Sequence, residues 1–182
     1  MQVREAELDL IITGCLANDR KAQEALFRHF YSFLMPVAMR YSRDEQDAAD
    51  IVNRAFMKIF KSMQTFDSAK GSLYAWTKKI VSNEGLDHIK IRSKFNYTDE
   101  IELALEPAID NSAINKINSA DLMAIIRQLS PATHAVFVLY AIEGYKHKEI
   151  AELLNISDGT SKWHLSEARK TLQHKLKDLN VI

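Results

Sequence analysis

The side chains best equipped to recognise another molecule lie close together near the carboxyl end of the sequence. Between residues 159 and 167, hydroxyl, ammonium, imidazole and indole groups occur at Thr160, Ser161, Lys162, Trp163, His164 and Ser166. Groups of this kind read base edges when the first turns of a helix enter the major groove of DNA. The chemistry indicated is therefore recognition of a nucleic acid by hydrogen bonding.

Two helices joined by a tight turn must position these groups. The apolar face of a short first helix is formed by Ile150, Leu153 and Leu154. Asn155 can adopt the left-handed conformation that ends this helix, and Ser157 or Asp158 can cap the next. The buried face of the second helix is predicted at Leu165, Ala168 and Leu172. This order predicts a helix-turn-helix. A helical hairpin in a bundle core is the alternative, and an outward Trp163 beside Lys162 argues against it.

Residues 1–92 are also predicted to be helical. Apolar residues recur at helical spacing at Ala48, Ile51, Val52, Ala55, Phe56, Ile59 and Phe60. In the next helix, Asn83 shares one face with Trp76 and Ile80, because they precede it by seven and three residues. Basic residues are concentrated over residues 78–94 and again beyond residue 159, as in proteins that bind nucleic acid. Two solvated helix faces would give the same pattern.

The charge of the chain is balanced overall but not by segment. Its 182 residues include 24 basic and 24 acidic side chains. Basic and acidic residues number 14 and 12 in residues 1–92, 3 and 6 in residues 93–128, and 7 and 6 in residues 129–182. Residues 93–118 lack sustained periodicity, so we expect an acidic linker there between two small helical domains, 1–92 and 119–182. An irregular helix packed on one domain is the alternative.

Composition excludes several classes of protein. Five glycines and the lack of strand patterns predict an all-α fold without internal repeats. The single Cys15 excludes a disulfide framework, and the six histidines show no metal-ligand spacing. No phosphate-binding or dinucleotide-binding motif is present. We therefore expect a soluble, cytoplasmic protein that uses no metal or cofactor and does not insert into membranes.

Two blocks of sequence carry motifs that occur in this order in one protein family. The first block contains Asp47-Ala48-Ala49-Asp50-Ile51-Val52, Ala55-Phe56-Met57-Lys58-Ile59-Phe60, Phe66, Gly71, Tyr74-Ala75-Trp76, Ile80, Asn83 and Asp87. The second contains Leu129-Ser130-Pro131, Glu143-Gly144-Tyr145, residues 149–154 and Gly159-Thr160-Ser161-Lys162. Together they resemble regions 2 and 4 of RNA polymerase sigma factors of the sigma-70 family, extracytoplasmic-function group. The resemblance covers about residues 8–92 and 119–178.

The resemblance implies a role in transcription initiation. Region 2 of such a factor docks on the clamp helices of the largest polymerase subunit and recognises the minus-ten promoter element. Region 4 docks on the polymerase flap and reads the minus-thirty-five element, while the linker runs through the RNA exit region. We therefore expect core RNA polymerase and promoter DNA as partners, an anti-sigma factor as inhibitor, and all catalysis to remain in the polymerase.

The resemblance also assigns residues to three surfaces. Polymerase contact is expected of Asp47, Asp50, Ile51, Val52, Phe56 and Lys58. Minus-ten recognition is expected of Phe66, Trp76, Lys79, Asn83, Lys90 and Arg92. Within this set, Phe66 would stack on an extruded base and Asn83 would bond to its edge. Base contacts in the minus-thirty-five element are expected of Lys162, Trp163 and Ser166, with Thr160 and Arg169 at phosphates or supporting the helix.

Plain packing competes with several of these roles. The apolar positions Ile51, Val52 and Phe56 are typical of a helical core. Asn83 would also suit a buried amide whose hydrogen bonds go to the backbone, and Trp76 suits a core position better than a wedge that melts DNA.

The sequence departs from the family pattern in two places. Asn53-Arg54 replaces a common Gln-Glu pair, and Glu167 replaces a residue that is often basic. Glu167 would either accept a hydrogen bond from cytosine N4 or face solvent.

The functional alternative is a helix-turn-helix regulator that binds DNA without polymerase. The region-2-like pattern from Asp47 to Asn83 argues against it.

Overall fold

A computed structural model describes residues 5–92 and 119–178 of the chain. All regular secondary structure in these two ranges is helical, which confirms the predicted all-α fold. The helices are α1 (Glu5–Leu16), α2 (Arg20–Ala38), α3 (Glu45–Ser62), α4 (Leu73–Arg92), α5 (Ser119–Ile126), α6 (Pro131–Phe137), α7 (His147–Leu154) and α8 (Asp158–Asp178). None of the helices in these ranges is both long and apolar enough to span a lipid bilayer.

The chain divides into two compact units, Met1–His88 and Ile89–Ile182, as expected for two small helical domains. The first unit contains α1, α2, α3 and most of α4, and the second contains the end of α4 and α5 to α8. The expected acidic linker over residues 93–118 lies outside the described residues. The domain limits 1–92 and 119–182 therefore stay predictions.

The first unit is built on the apolar face predicted for α3. The buried side chains of this face are Ala48, Ile51, Val52, Ala55, Phe56 and Ile59. Asp44 caps α3, because its carboxylate accepts a hydrogen bond from the backbone N–H of Asp47 at 2.8 Å. Helix α2 packs against α3 and buries Leu26, Phe30 and Leu34. Because the apolar faces of α2 and α3 are both buried, only the opposite, polar side of α3 is accessible to a partner.

Two glycines mark places where helices approach other parts of the first unit closely. A Cβ atom added at Gly14 of α1 would lie 2.5 Å from the side chain of Ala22 in α2. One added at Gly85 of α4 would lie 2.5 Å from the ring of Tyr41. Carbon atoms do not approach to this distance in folded proteins, so only glycine fits at both positions. Tyr41 therefore sets the depth at which α4 packs.

The connection between α3 and α4 is short and tightly turned. It contains two 3-10 turns, Met63–Thr65 and Ser68–Lys70, with Phe66 between them. Gly71 follows with a φ of 154°, a backbone conformation that L side chains disfavour. The Ser72 hydroxyl then accepts a hydrogen bond from the backbone N–H of Ala75 at 3.2 Å, which caps α4.

A proline and a glycine mark the two ends of the helical run that begins with α6. Pro131 is the first residue of α6, and the Ser130 hydroxyl before it donates to the Thr133 hydroxyl instead of capping a backbone N–H. Gly144, with a φ of 79°, ends the helical run. The run does not stay α-helical, because Val138–Ile142 forms a π-helical segment that the sequence did not predict.

Helices α7 and α8 form the predicted helix-turn-helix. Asn155 ends α7 in the left-handed conformation, with φ 55° and ψ 52°. The backbone N–H of Ile156 donates to the carbonyl of Ala151 at 3.0 Å. Ser157, rather than Asp158, caps α8. Helices α6 and α7 pack against α8. The buried face of α8 includes Leu165, Ala168 and Leu172.

Candidate nucleic-acid interface

The α3 residues expected at a polymerase interface fall into two groups. Asp50 and Lys58 are exposed and Asp47 is half-buried. The exposed fractions of the other three residues are 0%, 0% and 2% for Ile51, Val52 and Phe56. Direct contact with a partner does not fit this burial, because these apolar side chains fill the core of the first unit. They support α3 from beneath and leave its polar face for a partner.

A cluster of charged side chains, the α3–α4 ion cluster, joins the outer faces of the two helices. It consists of Arg54, Lys58, Glu84, Asp87 and His88. The Glu84 carboxylate accepts a hydrogen bond from Arg54 Nε at 2.8 Å and forms an ion pair with Lys58 Nζ at 2.5 Å. Lys58 Nζ also lies 3.6 Å from Asp87 Oδ2, and Arg54 Nη2 lies 3.1 Å from His88 Nδ1. The cluster therefore ties α4 to α3 through a largely buried acid.

Arg54, which departs from the pattern that the resemblance implies, has an acidic partner on α4, because its guanidinium donates a hydrogen bond to Glu84. Burial alone raises the pKa of Glu84, yet the hydrogen bonds and positive charges of Lys58 and Arg54 outweigh it and hold that pKa below its usual value. The hydrogen bond to Glu84 in turn raises the pKa of Lys58. Glu84 and Lys58 are therefore both charged at neutral pH.

Phe66 and Trp76, both expected at the minus-ten element, lie together. Their ring centroids are 5.5 Å apart with planes inclined by 54°. Both side chains are half-exposed, so part of each ring is open to solvent. An aromatic surface of this kind can stack on an unpaired base. Lys79 is exposed one turn beyond Trp76, where its ammonium can reach a phosphate.

Asn83 is exposed on α4, which excludes the buried amide that the sequence left open. It lies seven residues beyond Trp76, about 10 Å further along the helix. The amide therefore extends the face of α4 that carries Trp76, but it does not belong to the Phe66–Trp76 pair.

Lys90 and Arg92, the remaining residues expected at the minus-ten element, lie at the end of α4. Lys90 Nζ donates a hydrogen bond to the Leu153 carbonyl at 2.8 Å, and both residues belong to the second unit. This ammonium therefore already has a partner within the protein. Arg92 is the last residue of α4, and its side chain lies outside the described part of the chain.

Two residues expected at the minus-thirty-five element are engaged within the first turns of α8. The Thr160 hydroxyl lies 2.8 Å from the Ser157 hydroxyl, and the Thr160 N–H donates to the same oxygen at 2.9 Å. Thr160 thus supports the helix start. Lys162 Nζ lies 2.7 Å from Asp158 Oδ2, and its hydrogen bond lowers the pKa of that carboxyl. Both side chains of this pair are partly exposed, so DNA phosphate can compete for the lysine.

Three polar side chains of α8 that looked available in the sequence are buried. Ser166 is only 5% exposed, which leaves its hydroxyl no access to a base edge. Ser161 Oγ is bonded to His147 Nδ1 at 2.9 Å, and His164 Nδ1 lies 3.0 Å from Thr133 Oγ1. Burial lowers the pKa of His164 to about 4, so this imidazole is neutral at physiological pH.

The accessible side chains of α8 include Lys170, which the sequence did not place at the DNA, and Glu167, for which it left a contact to cytosine N4 and exposure to solvent both open. Trp163, Arg169 and Glu167 are half-exposed and Lys170 is exposed. Glu167 and Lys170 lie one and two turns beyond Trp163 on the same side of the helix. The spacing of these residues was readable in the sequence. The burial of Ser166 was not, and it removes one of the three residues expected to contact bases.

Comparisons with known proteins agree with this architecture. Residues 26–95 match the family model for sigma-70 region 2, and residues 119–172 match the model for sigma-70, region 4. The crystallised sigma factor RpoE of Bartonella quintana, determined together with the anti-sigma factor NepR, has a similar fold. It aligns with a TM-score of 0.51 and 23% identity over 85% of this chain and 96% of that chain.

Two sequence relatives place the chain within the family. It is 26% identical over 159 residues to the ECF RNA polymerase sigma factor SigE of Mycolicibacterium smegmatis, covering 84% of this chain and 61% of SigE. It is 30% identical over 173 residues to the ECF RNA polymerase sigma factor SigM of Mycobacterium tuberculosis, covering 94% of this chain and 85% of SigM. With regions 2 and 4 both matched in order, the chain belongs to the sigma-70 family, in the extracytoplasmic-function (ECF) group of RNA polymerase sigma factors.

Proposed function

We propose that this protein binds core RNA polymerase and directs it to specific promoters. The observation that carries the proposal is the match of one chain to both sigma regions, at residues 26–95 and 119–172. A regulator that binds DNA without polymerase would need the helix-turn-helix of the second match. It would have no use for the first.

Recognition of the minus-ten element is assigned to α4 and to the connection that precedes it. A base that leaves the duplex loses a few kcal/mol of stacking, so its pocket must supply an aromatic surface and hydrogen bonds. The half-exposed rings of Phe66 and Trp76 supply the surface. The exposed amide of Asn83 supplies both a donor and an acceptor. Lys79 is proposed to bind phosphate, together with the less accessible Lys90 and with Arg92.

Polymerase docking is assigned to the polar face of α3. Asp47, Asp50 and Lys58 lie on this face, and the core residues beneath it hold the helix in place. Lys58 has a second role within the fold, because it also binds Glu84 in the α3–α4 ion cluster. Contact between Lys58 and polymerase would therefore act on α4 as well as on α3.

The start of α8 is assigned to the minus-thirty-five element. Trp163 is the aromatic side chain that this helix offers to a base edge. Lys162 and Arg169 are proposed to bind phosphates on either side, and Thr160 holds the N-terminal turn. The N–H groups at the start of the helix add a further site for phosphate.

Transcription with purified components tests the proposal. Core polymerase freed of sigma factors should produce promoter-specific transcripts only after the protein is added, and the two should co-purify. Matched reactions with heat-denatured protein provide the control. If the protein binds promoter duplex alone but neither joins core nor starts transcription, it is a regulator instead, and the proposal is overturned.

We also propose that an inhibitory protein controls this factor in the cytoplasm, where polymerase works, and that the chain itself catalyses no reaction. The Bartonella quintana factor RpoE was crystallised with such an inhibitor, the anti-sigma factor NepR. Purification of the tagged protein from cells grown without stress should yield one additional small partner that blocks transcription when added back. Recovery of polymerase alone under all growth conditions would contradict this.

A further inference from the structure

The outward side of α8 carries a stripe of three side chains, Trp163, Glu167 and Lys170. They are four and three residues apart, so they follow one line along the helix surface. Trp163 and Glu167 are half-exposed and Lys170 is exposed. Within residues 5–92 and 119–178, the Glu167 carboxylate and the Lys170 ammonium form neither a hydrogen bond nor an ion pair. Both charged groups are therefore open to a partner.

Other polar groups near the start of α8 are already engaged or covered. Lys162 is paired with Asp158 at 2.7 Å, and the Thr160 hydroxyl is bonded to Ser157. Ser166 is buried. A helix-turn-helix places this part of its second helix in the major groove. The side chains of the stripe are therefore the ones best placed to bond to bases there.

A carboxylate in this stripe has few favourable partners on DNA. The phosphates repel it, and most base atoms in the major groove are acceptors. The exceptions are the N4 amino group of cytosine and the N6 amino group of adenine. Adenine also presents its N7 acceptor next to N6, which repels a second carboxylate oxygen, so cytosine is the better match. Lys170, one turn further along, offsets repulsion between Glu167 and nearby phosphates.

We propose that Glu167 specifies a cytosine in the upstream promoter element by accepting a hydrogen bond from its N4 amino group. The inference rests on the proposed function, because it requires α8 to enter the groove at a promoter. It adds Glu167 to the expected base contacts, from which the burial of Ser166 removes one. The acidic residue that departs from the family pattern thus gives this factor a promoter preference of its own.

Selection from a promoter library tests the assignment. Holoenzyme made from core polymerase and the full chain is incubated, at one fixed salt concentration, with promoters whose upstream element is randomised, and bound DNA is sequenced. Wild type should enrich cytosine at one position. Glu167→Ala should lower that preference by roughly tenfold and leave other positions unchanged. Glu167→Gln should shift the preference toward adenine, because an amide matches adenine N6 and N7.

The control variant is Glu152→Gln, which neutralises an exposed carboxylate on α7 and should select the same element as wild type. Thermal melting of each variant verifies that α8 remains folded. Unchanged base preferences in both Glu167 variants would overturn the assignment, as would a wild-type element without cytosine. If wild-type holoenzyme enriches no element at all, the proposed function fails first, and a failure of the variants alone leaves that function intact.

Discussion

At the scale of single residues, Asn83 can be replaced with little expected effect on the folding of the first unit. Its side chain is exposed, although Ser82 and Glu84 on either side are buried. No hydrogen bond within the described ranges depends on its amide. Its removal therefore costs the fold little and removes only what the amide offers to a ligand.

We expect Asn83→Ala to slow open-complex formation by about tenfold, the loss of one specific base contact, while core binding is unchanged. Permanganate reactivity of unpaired thymines measures the first quantity, and co-elution with core measures the second. Ser32→Ala, at an exposed polar residue of α2 outside the assigned surfaces, is the control. Equal rates for Asn83→Ala and wild type on several promoters would remove Asn83 from the interface.

Adjacent positions in α8 show what sequence could and could not predict at this scale. Helical spacing placed Trp163, Lys162 and Glu167 near the start of the recognition helix, and the structure agrees. Burial is a property of the folded unit and not of local spacing. The sequence therefore could not show that Ser166 and His164 are covered while Glu167 is accessible.

At the scale of helices, the α3–α4 ion cluster fixes the position of α4. The Glu84 side chain is 7% exposed and binds two cations that are each about half exposed. Asp87 contributes less, because it is 53% exposed and 3.6 Å from Lys58. The two acids therefore provide a matched comparison between a buried and a surface partner of the same lysine.

We expect Glu84→Gln to lower the free energy of unfolding of the first unit by about 1–3 kcal/mol, because two cations lose a charged acceptor. Asp87→Asn should cost about 0.5 kcal/mol or less. Urea titrations at pH 7 measure both values. A loss for Glu84→Gln no larger than that for Asp87→Asn would show that the buried position of Glu84 adds nothing.

Elements specified by local chemistry were predictable, and those that depend on distant residues were not. Backbone preferences fix three helix ends. Helix α6 begins at Pro131, its π-helical extension ends before Gly144, and α7 ends at its capping residue Asn155. The bond between Arg54 and Glu84 joins residues 30 positions apart, and no spacing rule in one sequence connects them. The π-helical turn also leaves no local signal in the sequence.

At the scale of the whole molecule, the two units carry different acid-sensitive groups. In the second unit, burial lowers the pKa of His164 from 6.5 to about 4. The unfolded chain binds this proton more readily, so stability is lost as pH falls from 6.5 toward 4. In the first unit, the folded-state pKa of Glu84 lies below 4.5, so its contribution is complete above 4.5 and is lost only as pH falls further.

We therefore expect acid to destabilise the second unit before the first. His164 should cost the second unit roughly 2–3 kcal/mol between pH 7 and pH 4.5. Hydrogen exchange, corrected for the intrinsic effect of pH, should show loss of protection in α6 and α8 while α3 and α4 remain protected.

The variant His164→Asn should flatten this pH dependence, because its amide can replace Nδ1 beside Thr133 and does not titrate. The control is His174→Asn at an 80% exposed position of the same helix, which should leave the dependence unchanged. An identical slope in wild type and His164→Asn would contradict the assignment to His164.

The close approach of Gly85 to Tyr41 has a genetic consequence. Helix α4 is one 20-residue rod, and it carries Trp76 and Asn83 on the same element as Gly85. A larger residue at position 85 must push against a ring that is itself buried, so the whole rod shifts. On the proposed assignment of α4 to the minus-ten element, alleles at Tyr41 and Gly85 would share the phenotype of Asn83→Ala although both residues are buried. A larger residue at position 85 could then be compensated by a smaller one at position 41, because the two positions share one contact.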